Sequence, residues 1–451
     1  MLAVLLFTAG QLTAGAARVD ITPPPGTPMA GYYALRGADG THDPLFATAL
    51  VLEQDGTRVA LVGLDLVVVT AEIVADARKL VADQTGIPAT HVMIWATHSH
   101  TGPVVGDGRS RAGAFGGDHP LAVRFVRDLP GRIAAAVKQA DAGRVPARVR
   151  RAVGTEPGLA FNRRFHMSDG TVGWNPGKLN PKTVHPAGPT DDRVPVVLVE
   201  TADGKTPLAC QVTFAMHLDT VGGTRYSADY PFQMGQCLRA ALGDALVPQF
   251  AMGCSGDVNH LNVASTMPQK GHAEAARIGT RLAAAALRAI DRAEPAAGPL
   301  RASTVVLDLT AAGVSDADVA AARPVIAAAT GGDKPAPPFL QQVKAFQVSD
   351  VAERGGKPFR AEVQVITLGD DLAWVGLSGE IFNGLGTAVI AGSPFRQTAV
   401  VSLANGSVGY VPDRVAYPQG NYEVVSARVA AGSGEKLVDE ALRQLRALYR
   451  P

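Results

Sequence analysis

The chain is 451 residues long, 47% hydrophobic and 18% charged, with a formal net charge of +1. A near-neutral balance without a basic block leaves no electrostatic footprint for nucleic acid, and no segment reaches the roughly 18 to 20 uninterrupted apolar residues of a transmembrane span. The length permits one large domain or several smaller ones, and nothing in the pattern speaks to oligomeric state.

In chain order, the opening "MLAVLLFTAGQLTAGAA" reads in two ways. It is the tail of a secretory signal without its basic n-region, or "LTAGAARVD" is simply a first strand. Residues 1–13 are therefore set apart from a body spanning 14–451, and location stays open between export (secretion or the periplasm) and the cytoplasm. "ATALVLEQDGTRVALVGLD" predicts two strands around an Asp-Gly turn. "TAEIVADARKLVADQTG" predicts a helix, with Ile73, Val74, Ala77, Leu80 and Val81 at helical spacing, Thr70 as N-cap and Gly86 at the end. "HVMIWATHSH" predicts the next strand. Further strands are expected at "VPVVLVE", "LACQVTF", "PQFAM", "TVVLDL", "RAEVQVITL", "LAWVGL" and "TAVVSL", and helices near 120–140, 230–243, 271–292, 316–330 and 435–449. No solenoid period is visible, and Pro/Gly-rich pieces such as "WNPGKLNPKTVHPAGPTDD" are loop-sized. The fold class implied is α/β: mixed β-sheets with flanking helices in one large domain. Cys210, Cys237 and Cys254 form no CxxC pair; Cys210 and Cys254 are the two best placed for a bridge, but buried free thiols are the expectation.

The chemistry concentrates at strand ends. In "IWATHSHTGP", alternation along a strand puts His98 and His100 on one face and Thr97 and Ser99 on the other. A strand end before a Gly-Pro break is where α/β folds bind ligands. Neutral imidazoles suit zinc, or one serves as ligand and the other as general acid or base; the alternative is a pair of structural histidines. His217 ends the apolar run "LACQVTFAMH", Asp65 ends "VALVGLD" and Glu380 follows "LAWVGLSG". Asp65 reads equally as a partner orienting a histidine ligand or as a turn cap. "FAMGCSGDVNHLN" carries Ser255, Asp257, Asn259 and His260 on a Gly-rich turn able to present donors to a substrate. It does not fit the G-x-S-x-G pattern of a serine hydrolase.

These segments, with "RVDITPPPGTPMAGY", "ATHSHTGP", "FAMHLDT", "GCSGDVNH", "SGEIFNGLG" and "NGSVGYVPDRVAYPQGNYE", occur in the order found in neutral (non-lysosomal) ceramidases. The resemblance runs from about residue 14 to 449 and implies that family's catalytic domain. It implies hydrolysis of the amide of an N-acylsphingosine, a lipid-like N-acyl substrate, with a zinc ion held by two His, one Glu and one Tyr. Carried over by motif, the ligands are His98, His217, Glu380 and Tyr410. His100 is the neighbouring histidine, Tyr422 contacts the reacting group, and Arg163 of "FNRR" is the active-site arginine, with Arg164 adjacent. Zinc lowers the pKa of a bound water to about 7 and polarises the scissile carbonyl. Tyr422 and Arg163 then face the developing oxyanion, and His100 protonates the leaving amine.

Two departures are visible. Where the family has "GDVSPN", this chain reads "GDVNHL", so Asn259 stands at the serine position and His260 at the proline. An amide is no nucleophile, which leaves activity to metal-activated water and Asn259 to a hydrogen bond with substrate. With "EKLVDEALRQLRALYRP" as its last segment, the chain is also expected to lack the family's immunoglobulin-like C-terminal domain. Three readings follow: a zinc amidohydrolase acting on ceramide-like substrates, a zinc esterase or amidase acting on a smaller polar acyl substrate, or a binding protein that keeps the fold without catalysis.

Overall fold

A computed structural model describes residues 10–106, 110–331 and 336–450. The signal-like residues 1–9 lie outside the described residues, and the first strand, Thr13–Asp20, begins within the reading "LTAGAARVD". The architecture is α/β in four layers. A nine-stranded mixed sheet and a four-stranded sheet face each other, and each carries helices on its outer side.

The layering follows from alternation. In the hairpin Phe46–Gln54 and Thr57–Leu64, Ala47, Ala49, Val51, Ala60, Val62 and Leu64 face the outer helices, while Leu50, Leu52, Val59 and Leu61 face the other sheet. Asp55 and Gly56 turn the corner with φ of 51° and 78°, as a two-residue hairpin requires. Strands buried on both faces read as continuous apolar runs rather than alternating ones. Val92–Ala96 is one, with Met93 and Trp95 pointing between the sheets. Leu372–Leu377 is the other, sending Leu372 and Trp374 into the same layer. The Trp374 indole N–H donates to Gln211 Oε1 at 2.6 Å, tying the smaller sheet to the larger.

The helix Ala71–Thr85 forms as expected, with the Thr70 hydroxyl accepting from Ile73 N and Gly86 closing it at φ 73°. Helices Pro120–Ala142, Tyr230–Leu242, His272–Ile290, Asp316–Thr330 and Ser433–Leu448 also match. The Ala-rich region predicted near 316–330 is half of a helical pair. It packs Ala322 against Ala345 and Val348 of a second helix, Phe339–Ala352. The sequence reading missed that second helix, the strand Val145–Thr155 inside the large sheet, and the helix Asn383–Gly392. All three cysteines are free thiols. No helix among the described residues is long and apolar enough to cross a membrane.

Candidate metal centre and its surroundings

The strand that leads to the histidines stops at Ala96, earlier than its sequence suggests. Thr97 N and His98 N donate to Leu64 O and Leu66 O, and His98 takes φ 76°, a left-handed conformation uncommon for any residue with a Cβ. His98 and His100 therefore do not share a strand face. They meet because a tight turn folds the chain back, and His100 N closes it onto Leu218 O at 3.1 Å. The two Nε2 atoms stand 3.2 Å apart. His217 arrives three residues past the strand Pro207–Phe214, its backbone N–H held by Val258 O. The nitrogens of His98, His100 and His217 all lie within 4.8 Å of one another.

Glu380 and Tyr410 enter together. Glu380–Ile381 and Tyr410–Val411 form a short parallel pair in which Glu380 is opposite Tyr410. Gly256 packs against the Glu380 carbonyl so closely that a Cβ would come within 2.4 Å of it, so only glycine fits there. Glu380 Oε2 sits 3.4 Å from Nε2 of both His98 and His217, yet it is buried without a hydrogen-bond partner. Tyr410 OH is 3.5 Å from His217 Nε2. All four expected ligands, and His100 with them, thus face one point.

The second nitrogens of the rings are engaged. His98 Nδ1 bonds Val67 O at 2.7 Å and His217 Nδ1 bonds Ser255 O at 2.8 Å, which makes each Nδ1 the donor and leaves Nε2 its lone pair. Backbone carbonyls do the orienting, so the alternative role for Asp65 is corrected. Its carboxylate accepts from Phe46 N at 2.9 Å and caps that turn, because Asp65 and Phe46 are brought together at the open end of the hairpin. Burial lowers the pKa of His217 to about 3 and that of His100 to about 4, so both rings are neutral at pH 7. Tyr410 and Tyr422 are pushed upward by burial and stay protonated.

Arg163, rather than Arg164, reaches the centre. Its Nη2 donates to Tyr410 OH at 3.0 Å and to Gly256 O at 2.7 Å. Glu423, fully buried, fixes both guanidiniums: it accepts from Arg163 Nε at 2.7 Å and from Arg164 Nη1 at 2.9 Å. Tyr422 caps the same cavity, its ring 5.5 Å from Tyr410 and 4.6 Å from Trp174, with Phe339 packed against both Tyr422 and Trp174. Glu423, Trp174 and Phe339 escaped the sequence reading, although "NYE" already placed the glutamate beside Tyr422.

The Asn259 side chain turns to the loop instead. Its Nδ2 donates to Asn175 Oδ1 at 3.1 Å and its Oδ1 accepts from Leu261 N at 3.0 Å. Asp257 spends its oxygens on Asn383 N and Asn162 Nδ2. Ser255 Oγ and both ring nitrogens of His260 are buried without partners.

No family model and no curated protein matches the chain. Two solved structures do resemble it closely in three dimensions. Neutral ceramidase from Pseudomonas aeruginosa aligns with a TM-score of 0.76 at 21% identity, over 98% of this chain and 76% of that one. A ceramidase complexed with C2 gives a TM-score of 0.75 at 18% identity over the same shares. The chain has a neutral-ceramidase-like fold, diverged far in sequence.

Proposed function

We propose that this protein is a zinc-dependent hydrolase that cleaves the amide bond of a ceramide-like N-acyl substrate, with residues 14 onward acting as one catalytic unit. The observation that carries the reading is Glu380 Oε2, buried, without a hydrogen bond, and 3.4 Å from two imidazole nitrogens whose lone pairs face it. A carboxylate oxygen deprived of donors among neutral imidazoles is costly unless a cation joins them. The donor set of His98, His217, Glu380 and Tyr410 suits zinc. Bound there, zinc supplies a Lewis acid and an activated water near neutral pH.

The remaining work falls to the chain's own groups. Arg163 and Tyr422 offer N–H and O–H donors to the negative charge that develops on the carbonyl oxygen. Glu423 keeps the Arg163 fork aimed at that position. His100, neutral and 3.2 Å from His98, is placed to carry a proton to the departing amine. Trp174 and Phe339 shield the Tyr422 side from water.

The test is to quantify zinc per chain and to assay a fluorogenic ceramide beside a short-chain N-acyl amide. One zinc and turnover abolished by chelation and restored by zinc is expected. One zinc with turnover of the short substrate alone keeps the chemistry and removes the lipid. No zinc and no turnover overturns the reading.

A further inference from the structure

The cleft lined by His98, His100, Glu380, Tyr410 and Tyr422 is also lined by Arg111 and Arg428. Neither has a part in the chemistry above. Both recur on the wall of an adjoining pocket whose other lining includes Val104, Val105 and Phe115. The two arginines therefore stand where a polar reaction cleft passes into a more apolar recess.

They come from distant parts of the chain. Arg111 sits on the short helix Ser110–Ala114 and is exposed at the mouth. It donates to Tyr33 OH at 3.2 Å and lies over that ring at 5.1 Å. Arg428, just past the Tyr422–Ser426 helix, is more enclosed and stands 3.2 Å from the Asp350 carboxylate. Its guanidinium lies against Gly409, where a Cβ would come within 2.5 Å of Nη2. Asp350 also acts electrostatically on Arg111. Among the described residues lining these two cavities, two guanidiniums thus face one carboxylate besides Glu380, which belongs to the imidazole group.

A neutral amide substrate offers these two guanidiniums no counter-charge. Arginine's planar fork matches a carboxylate bidentately, as it does a phosphate, and a carboxylate is the anion that an N-acyl amino acid carries. We propose that the cleft selects N-acyl substrates bearing a carboxylate, of the N-acyl amino acid class, held by Arg111 and Arg428 while the amide reaches the His98–His217–Glu380 centre. The apolar recess beside the arginines receives hydrocarbon of the same molecule. This rests on the amide-hydrolase reading and puts a carboxylate-bearing N-acyl compound in place of neutral ceramide as the preferred substrate.

The experiment compares N-octanoylglycine with the uncharged N-octanoylpropylamine on the zinc-loaded protein. The carboxylate is expected to be favoured about ten- to a hundredfold in kcat/KM, the scale of charge-assisted hydrogen bonds. That ratio should fall toward one in Arg111→Gln and in Arg428→Gln, with circular dichroism verifying the fold of each. Arg428→Lys, which keeps the charge but loses the fork, should fall between. Equal turnover of both compounds, or a preference that survives both Gln substitutions, overturns the proposal while leaving the hydrolase reading intact. If neither compound is hydrolysed, calorimetric titration of N-octanoylglycine decides. Binding weakened at least about tenfold by Arg111→Gln sustains the carboxylate site without the hydrolase; no binding removes it.

Discussion

Two histidine clusters invite comparison. His98, His100 and His217 form one; His42, Asp43 and His272 form the other, and each brings one ligand atom per residue within 4.8 Å of the others. Of these two, the first has the orientation that a metal centre needs. There the rings of His98 and His217 are locked by carbonyls behind them, and a carboxylate oxygen without a hydrogen bond faces their lone pairs. In the second, the rings lie face to face, centroids 3.5 Å apart and planes 11° off parallel. Lone pairs lie in the ring planes, so stacked imidazoles do not converge on one ion. Asp43 is already spent, accepting from Ser227 Oγ and Ala228 N and meeting His42 Nδ1. The His42 side chain is also 41% exposed. Proximity gathers ligands; orientation and an unanswered charge make a site.

The sharpest way to break this comparison is to mutate both clusters alike. His98→Ala and His217→Ala should each abolish bound zinc and lower turnover by more than the roughly 10- to 100-fold typical of changes behind a ligand. His42→Ala and His272→Ala should retain the metal and turnover of the parent. Elemental analysis and initial rates on the four proteins check it. Zinc lost from the outer pair instead would reverse the argument.

How much of this was legible beforehand depended on what each signal needed. Of the residues proposed as ligands, His98, His217 and Glu380 stood at the ends of apolar runs that were readable, whereas Tyr410 came only from the resemblance. What brings His98 and His100 together was not, because a left-handed residue at 98 leaves no mark in the composition around it. The strand Val145–Thr155 was hidden by its arginines. Arg148 and Arg151 pair with Glu200 and Glu294, and Arg150 binds the carbonyls of Ile290 and Ala293, partners remote in sequence. Helix Phe339–Ala352 buries Val343, Ala345, Phe346, Val348 and Val351, which circle it rather than marking one face. Glycines at 384, 386 and 392 masked the helix Asn383–Gly392. Asp65 was ambiguous because its neighbour Phe46 is decided by hairpin pairing.

The second prediction concerns what the inner cluster has and the outer lacks, a buried ionic brace. Glu423→Gln leaves Arg163 and Arg164 buried without their carboxylate. Such a loss costs about 3–5 kcal/mol of stability. With Arg163 no longer aimed, kcat should fall about 10- to 100-fold while zinc content holds. Denaturant melts and metal analysis on one preparation separate this from the loss of a ligand. A variant that loses its zinc would make Glu423 part of the centre rather than its support.

The smallest effect compares Asp43 of the outer cluster with Asp65, the buried cap of the hairpin turn. Asp43 is met by two hydrogen-bond donors and by His42, whereas Asp65 accepts from Phe46 N and burial raises its pKa from 3.8 to about 7. A carboxyl harder to ionise in the folded state than in the unfolded one contributes its stability in full below the unfolded value. That contribution is lost as pH rises through about 7. Asp65→Asn keeps the shape and removes the titration, so the variant should melt close to the parent at pH 4 and above it at pH 8. The gap should grow by at most about 1.4 kcal/mol per pH unit. Asp43→Asn should instead be destabilised at both pH values, because its amide meets donors on the protein. Thermal melts of the three proteins across that range decide it, and a gap for Asp65→Asn that shrinks with pH would overturn the argument from burial.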